Sequence, residues 1–253
     1  MQEQTNLALL NKVAVVTGSS RGIGRAIAIR LGQMGAKVVI NYCSNEEEAN
    51  KALEEVKNTA ASSVQIIKAD VSKPTEAKNL IDTVLSEHQK VDILINNAAI
   101  QRATLVHKMK DADWEEVMAL NLSSVFYLCR AVLPKMIESR SGEIVNIGSA
   151  SGFMAHKGAA SYVASKYGLI GLTKVLALET ADYGIRVNGV APGITDTDMI
   201  KGLTDAAKER LLSGIPMKRM AKAEEIAEMV AFILTSATYS TGNFFHASGG
   251  LIM

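Results

Sequence analysis

Tyr162 and Lys166 stand four residues apart in Tyr162-Val163-Ala164-Ser165-Lys166. On a helix this spacing puts both side chains on one face, one turn apart. A free phenol titrates near pH 10, about three units too high for easy proton exchange at neutrality. An ammonium roughly 4 Å away favours the phenolate by on the order of 4 kcal/mol at an effective dielectric of about 20, before desolvation subtracts. Such a pair can give a proton to an oxygen that becomes negative, and take it back in the reverse direction. By spacing alone the same pair also reads as an exposed helical pair. Its setting is more specific. Upstream, Glu143-Ile144-Val145-Asn146-Ile147 reads as a strand that leaves through Gly148-Ser149-Ala150-Ser151-Gly152. Ligand sites in open parallel sheets lie at the carboxyl ends of strands, which makes Ser149 and Ser151 candidates for a second hydroxyl. Serines in such exits also simply cap or solvate the chain.

These residues need a sheet to position them, and the chain opens with one strand of it. Val13-Ala14-Val15-Val16 is continuously apolar, as suits a strand buried on both faces. It breaks into Thr17-Gly18-Ser19-Ser20-Arg21-Gly22-Ile23-Gly24, after which Ile23, Ile27, Leu31 and Met34 fall on one helical face. Strand, glycine turn and helix present backbone N–H groups and a helix N-terminus to an anion such as a pyrophosphate. The spacing Gly-x3-Gly-x-Gly differs from Gly-x-Gly-x-x-Gly, and a tight structural turn is the plainer reading of the glycines taken alone.

Further strands are expected at Lys37–Tyr42, Val64–Ile67, Val91–Ile95, Arg186–Ala191 and Phe244–Ala247, with helices between them. The second strand ends in Asn41-Tyr42-Cys43-Ser44, without the acid that bonds the ribose hydroxyls of NAD and repels the 2′-phosphate of NADP. Arg21 can reach the same corner, and a guanidinium with small polar groups suits a phosphate. This charge pattern points to NADPH (NADP) over NADH. Arg21 also reads as a solvated surface charge, and Ser44-Asn45-Glu46-Glu47 as a capping box for the next helix. Asp70, after the third strand, reads on its own as a helix start, with Ser72 as the alternative and Pro74 in the first turn. Asp113 to Ile137 reads as one long helix, with Asn121 at an interior position that propensity disfavours.

Composition sets bounds. The chain has 253 residues, 48% of them hydrophobic, enough for one sizeable core. A net charge of +1 supplies no general drive toward nucleic acid or an anionic membrane. Cys43 and Cys129 are the only cysteines, which makes no disulfide framework or zinc cluster and suits a cytoplasmic setting. The start, residues 1–11, reads as a short extension rather than a signal peptide. No apolar run approaches the roughly 18 residues of a membrane span. The four histidines share no motif, and no metal is expected.

The turn Thr17–Gly24, the Asn96-Asn97-Ala98-Ala99 strand exit, the Asn121-Leu122-Ser123-Ser124-Val125-Phe126 segment, Ser149, Tyr162-x-x-x-Lys166 and Pro192-Gly193 follow one another in the order of the short-chain dehydrogenase/reductase family, which the chain resembles from about Lys12 to Gly250. The resemblance implies an α/β, single-domain Rossmann-type doubly wound fold over residues 1–253. It implies about seven parallel strands flanked by helices on both faces, and a substrate lid at about 196–220. It implies that Asn121, Ser149, Tyr162 and Lys166 are catalytic, with Asn121 holding a water at a local helix distortion. It implies cofactor contacts from Gly18, Ser20, Arg21, Gly22, Ile23, Gly24, Tyr42, Cys43 and Ser44, and from Asp70 and Val71 at the adenine. The remaining contacts would come from Asn97, Ala98, Ala99, Tyr162, Lys166, Pro192, Gly193, Thr195 and Thr197. The family usually has glycine where Ala99 stands, so the backbone there must tolerate a Cβ.

Within the family the chain is most similar to the β-ketoacyl-acyl carrier protein reductases, through Ile100-Gln101-Arg102, Lys108-Met109-Lys110-Asp111, the Asn121 segment and Val190-Ala191-Pro192-Gly193. This implies reduction of a 3-oxoacyl thioester by NADPH, with acyl carrier protein as partner and a homotetramer as assembly. Arg140 would fill one of two basic positions for an acidic carrier. Tyr183 occupies the other, with Arg186 nearby in sequence. The segment from Asn41 to Asn50 is similar to bacterial glucose dehydrogenases of the same family. Another ketone, a secondary alcohol or a sugar therefore remains an alternative substrate, and a non-catalytic NADPH-binding protein a more distant one.

Overall fold

The computed structural model describes residues 7–196, 209 and 212–252. Alternation along the first strand explains the layering. In β1 (Val13–Val16), Val13 and Val15 point to one face of the sheet while Ala14 and Val16 point to the other, and all four are buried. The described residues form a seven-stranded, all-parallel sheet of order β3-β2-β1-β4-β5-β6-β7, completed by β2 (Lys37–Tyr42), β3 (Ser63–Lys68), β4 (Ile93–Asn96), β5 (Gly142–Ile147), β6 (Ile185–Pro192) and β7 (Phe244–Ala247). Strand order reverses between β1 and β4, where ligands bind in doubly wound sheets.

One face is covered by α1 (Gly22–Gln33), α2 (Glu46–Lys57) and a late helix, Ala223–Thr235. The other face carries α3 (Pro74–His88), α5 (Ser124–Ser139) and α6 (Ala160–Thr180), preceded by α4 (Asp111–Met118). The late helix is α7 in chain order. Ile27 and Leu31 of α1, together with Ile226 and Val230 of α7, fill the first layer. Leu80 and Ile81 of α3, with Leu128 and Val132 of α5, fill the second. Each such side chain contributes about 1.5–3 kcal/mol when fully buried.

The structure corrects several sequence expectations. The long helix read as Asp113 to Ile137 is two helices joined by a π-turn over Ala119–Ser123, the local distortion at Asn121 that the family resemblance implied. The whole run Asp111–Ser139 is long and apolar enough to cross a membrane by composition, although no continuous apolar stretch marked it. In the fold, Val125, Leu128, Val132 and Met136 of α5 pack against α3 and the sheet, while Phe126 stays exposed. Helix α2 is capped by Asn45, whose side chain accepts from Glu48 N at 3.0 Å, not by Ser44. Neither Asp70 nor Ser72 caps α3; Lys73 holds that position, followed by Pro74.

Candidate active site

The four residues expected to do chemistry come from three elements: Ser149, Tyr162 and Lys166 gather at the carboxyl end of β5, and Asn121 is tied to α6 through Ser165. The π-turn carries Asn121, which is 1% exposed. Its carboxamide accepts from Ile100 N at 2.9 Å, donates to Ile100 O at 2.9 Å and donates to Ser165 Oγ at 3.2 Å. The side chain ties the backbone after β4 to α6, and its Oδ1 accepts a single hydrogen bond. Ser165 Oγ in turn donates to Tyr162 O at 2.7 Å.

Ser149 rather than Ser151 faces the phenol. The Ser149 hydroxyl lies beside the Tyr162 phenol, which it favours toward the ionised form, and accepts from Ser151 N at 3.1 Å. Ser151 Oγ instead lies 3.4 Å from His156 Nε2. Lys166 is 3% exposed, its Nζ donates to Ile147 O at 2.9 Å, and it sits 5.7 Å from the centroid of the Tyr162 ring. Burial pushes the Tyr162 phenol above its ordinary range, against the Ser149 hydroxyl, which lowers it. The chain by itself thus does not bring the phenol down toward neutrality, contrary to the expectation from Lys166. Burial alone brings the Lys166 ammonium down to about 8.

The glycine turn forms a cradle. Gly18 and Gly22 have φ of +59° and +56°, a region that favours glycine. A Cβ on Gly18 would lie 3.0 Å from Ala98 Cα, and one on Gly24 would lie 2.5 Å from Gly18 O and Asn97 Nδ2. Asn97 Nδ2 donates to Thr17 O at 2.9 Å and to Gly18 O at 3.1 Å, so it ties β4 to the turn. Helix α1 begins with no side-chain cap from Arg21 and no acid in its first turn, which leaves its positive end for an anion. Ile23 packs against the core beneath the turn, and Ser20 O accepts from Arg25 Nε at 2.9 Å. Ala99 does not have a positive φ, so its Cβ is accommodated.

At the end of β2, Arg21, Cys43 and Ser44 are exposed, while Tyr42 is buried. Sequence reasoning missed Asn41, which is 2% exposed. It accepts from Gly18 N at 3.3 Å and donates to Ala69 O at 3.1 Å, sewing the turn to β2 and to the exit of β3. Its place after three apolar residues, Val38, Val39 and Ile40, was the available signal. The Asp70 carboxylate accepts from Ser72 N at 3.1 Å and from Ser72 Oγ at 2.6 Å. Burial raises it, but these bonds and Lys73 prevail and leave it below its usual range. Val71 is committed to the core. After Pro192, Gly193 N donates to Ala247 O at 2.9 Å, and a Cβ on Gly193 would lie 2.8 Å from Ser248 Cα. Thr195 bridges to Ala221, so the two ends of the expected lid are pinned together. Thr197 and residues 197–208 lie outside the described residues.

A family model described as short chain dehydrogenase matches residues 12–208. The chain belongs to the short-chain dehydrogenase family. It is 43% identical over 245 residues to the 3-oxoacyl-acyl-carrier-protein reductase FabG of Staphylococcus epidermidis, covering 96% of this chain and 100% of that protein. It is 42% identical over 243 residues to the protein of that name from Salmonella typhimurium, covering 96% and 98%. It is 41% identical over 248 residues to the 3-oxoacyl-acyl-carrier-protein reductase of Synechocystis, covering 97% and 99%. A crystal structure described as a short-chain alcohol dehydrogenase from Sinorhizobium meliloti superposes with a TM-score of 0.92 at 31% identity, covering 97% of this chain and 98% of that one.

Membership makes the chain an oxidoreductase acting on a CH–OH/C=O pair with a nicotinamide nucleotide. The residues present fit that cofactor, because the cradle that a Cβ would fill and the uncapped helix start suit a pyrophosphate. In this short-chain dehydrogenase the two positions expected to meet an acidic carrier are neighbours. The Arg140 guanidinium donates to Asp182 O at 2.6 Å and lies 5.9 Å from the Tyr183 ring centroid. Arg186 is not a substitute: it pairs with Glu143 at 2.9 Å and donates to the carbonyls of Ile233, Ala237 and Ser240.

Proposed function

We propose that this chain is an NADPH-dependent reductase of 3-oxoacyl thioesters. The observation that carries the reading is the meeting of Ser149, Tyr162 and Lys166 at the β5 exit in a chain 41–43% identical, end to end, to relatives named for that reaction. The chemistry that the bound dinucleotide supplies is hydride transfer to the carbonyl carbon. Ser149 and Tyr162 both offer O–H donors to the carbonyl oxygen as it becomes negative. Tyr162, kept protonated by its burial, gives up its proton there. Lys166, protonated at neutral pH, stabilises the phenolate left behind and would hold the nicotinamide ribose. Asn121 locks α6 to the Ile100 backbone through Ser165. At the π-turn Asn121 would also hold the water that links Lys166 to solvent and reloads the proton.

The cofactor groups would follow the same reading. Gly18, Ser20, Gly22, Ile23 and Gly24 would cradle the pyrophosphate. Arg21, Tyr42, Cys43 and Ser44 would take the 2′-phosphate corner, which favours NADPH. Asp70 and Val71 would meet the adenine, and Asn97, Ala98 and Ala99 the ribose. Pro192, Gly193, Thr195 and Thr197 would meet the carboxamide, with residues 196–220 as lid over a single domain. Exposed apolar groups on α5 and α6, including Phe126, Tyr167 and Val175, would pair with a second copy in a homotetramer. The setting would be cytoplasmic.

The test is NADPH oxidation by absorbance with acetoacetyl thioester against a panel of simple ketones, with NADH in parallel. Turnover of ketones only would overturn the thioester reading. The presence of Tyr183 beside Arg140 favours one second reading, a thioester or ketone free of any carrier. Equal rates with carrier-bound and free thioesters would support it.

A further inference from the structure

Behind Lys166, a line of buried polar side chains crosses a layer that is otherwise apolar. Asn96, the last residue of β4, and Asn146, the last but one of β5, are in direct register. Asn96 Nδ2 donates to Asn146 Oδ1 at 2.8 Å, Asn146 Nδ2 donates to Thr173 Oγ1 at 2.9 Å, and Thr173 Oγ1 donates to Leu169 O at 2.7 Å. The three residues are 3%, 0% and 0% exposed. Asn96 Oδ1 is buried without a partner, so the line is kept at a cost that an all-apolar layer would avoid.

Its placement gives it a use. Thr173 lies two turns after Lys166, on the same face of α6. Asn146 precedes Ile147, whose carbonyl accepts from Lys166 Nζ at 2.9 Å. Helix α6 is thus tied to β5 at two points, one of them the ammonium itself. We propose that Asn146 and Thr173 form a brace that sets the height of α6 on β5, and that Thr173 is a positioning residue for Lys166. The inference rests on the reading of Lys166 as part of the reducing site. Tyr162, on the same helix, is the titratable group beside the ammonium, and β5 presents the Ile147 carbonyl. No charged side chain among the described residues shifts Lys166; burial alone does. The carbonyl bond favours the charged form, so loosening it lets burial prevail.

The test is the pH profile of kcat/KM for NADPH-dependent reduction. Thr173→Val keeps the shape and removes the hydroxyl. It is expected to lower kcat about tenfold, as a small misplacement of a reacting group does, and to move the basic limb to lower pH. Thr173→Ser is expected to restore both. A Thr173→Val enzyme with the wild-type profile, whether or not it melts earlier, overturns the brace. If that variant fails to fold, Thr173→Ala, which also removes the acceptor for Asn146 Nδ2, is read in the same way. Lys166→Ala separates the two readings. An active Lys166→Ala enzyme refutes the role of Lys166, while an inactive one beside an unmoved Thr173→Val profile refutes the brace alone.

Discussion

Lys166 Nζ donates to the main-chain carbonyl of Ile147, two residues before Ser149. The ammonium on α6 is thereby anchored to the strand that delivers the second hydroxyl. Helix and strand present their groups to one point, and the Tyr162 phenol with the Ser149 hydroxyl lies beside it.

Tyr162→Phe removes the proton donor and leaves the ring. Turnover should be lost while NADPH binding, followed by fluorescence titration, persists. Ser149→Ala should cost about 10²–10³ in kcat, the usual effect of losing one donor to a developing oxyanion. Near-normal turnover in the Phe variant would sink the assignment.

The Lys166 ammonium, brought down to about 8 by burial, makes reduction pH-dependent. Activity should fall as pH rises through about 8, where the positive charge is lost. The stability sign is the opposite. Between about 8 and the ordinary lysine value the unfolded chain binds the extra proton, so this group's contribution to stability rises with pH across that window. The cost of burying the charge is therefore fully present at neutral pH. Lys166→Met should be inactive yet more stable, by up to about 3 kcal/mol for a shift of that size. Chemical denaturation at pH 7 checks it.

Arg186 and Glu143 form an asymmetric pair. Burial pushes the Glu143 carboxyl up to about 7, against the pull of Arg186. Its folded value is raised, so its contribution to stability falls as pH rises from about 4.5 toward 7. Glu143→Gln should therefore cost little at neutral pH. Arg186→Ala strands a partly buried carboxyl and three carbonyls, and should cost about 1–3 kcal/mol. Equal melting of the two variants would contradict the asymmetry.

Arg21 is the one guanidinium in the glycine turn and is exposed at the start of α1. Arg21→Ala should raise KM for NADPH about tenfold or more and leave that for NADH nearly unchanged, because only the former has a 2′-phosphate to lose. A parallel rise in both would assign Arg21 to the pyrophosphate instead.

Arg140→Ala separates carrier docking from chemistry. It should weaken reduction of a carrier-bound thioester in KM and leave the free thioester untouched, since the guanidinium lies over Tyr183 rather than at the β5 exit. Steady-state kinetics with both substrates give the answer.

The sequence by itself determined the layers of this protein. Continuous apolar runs such as Val13–Val16 and Ile93–Ile95 could satisfy their backbones and bury both faces only as inner parallel strands. The glycines at 18, 22 and 24 marked a close approach, and the order of Asn121, Ser149, Tyr162 and Lys166 pointed to one exit. Tertiary structure decided what depends on partners distant in the chain. The break in the long helix at Asn121 is held by Ile100, 21 residues earlier. Ser149 and Ser151 read alike as loop serines; the family spacing favoured Ser149, and the fold sets it beside Tyr162 and Ser151 beside His156. Asn41 reads as a corner residue until its carboxamide is seen tying three strand ends. The reason is common to all three. Apolar periodicity records which face is buried, whereas a buried polar side chain is explained only by the single atom that satisfies it.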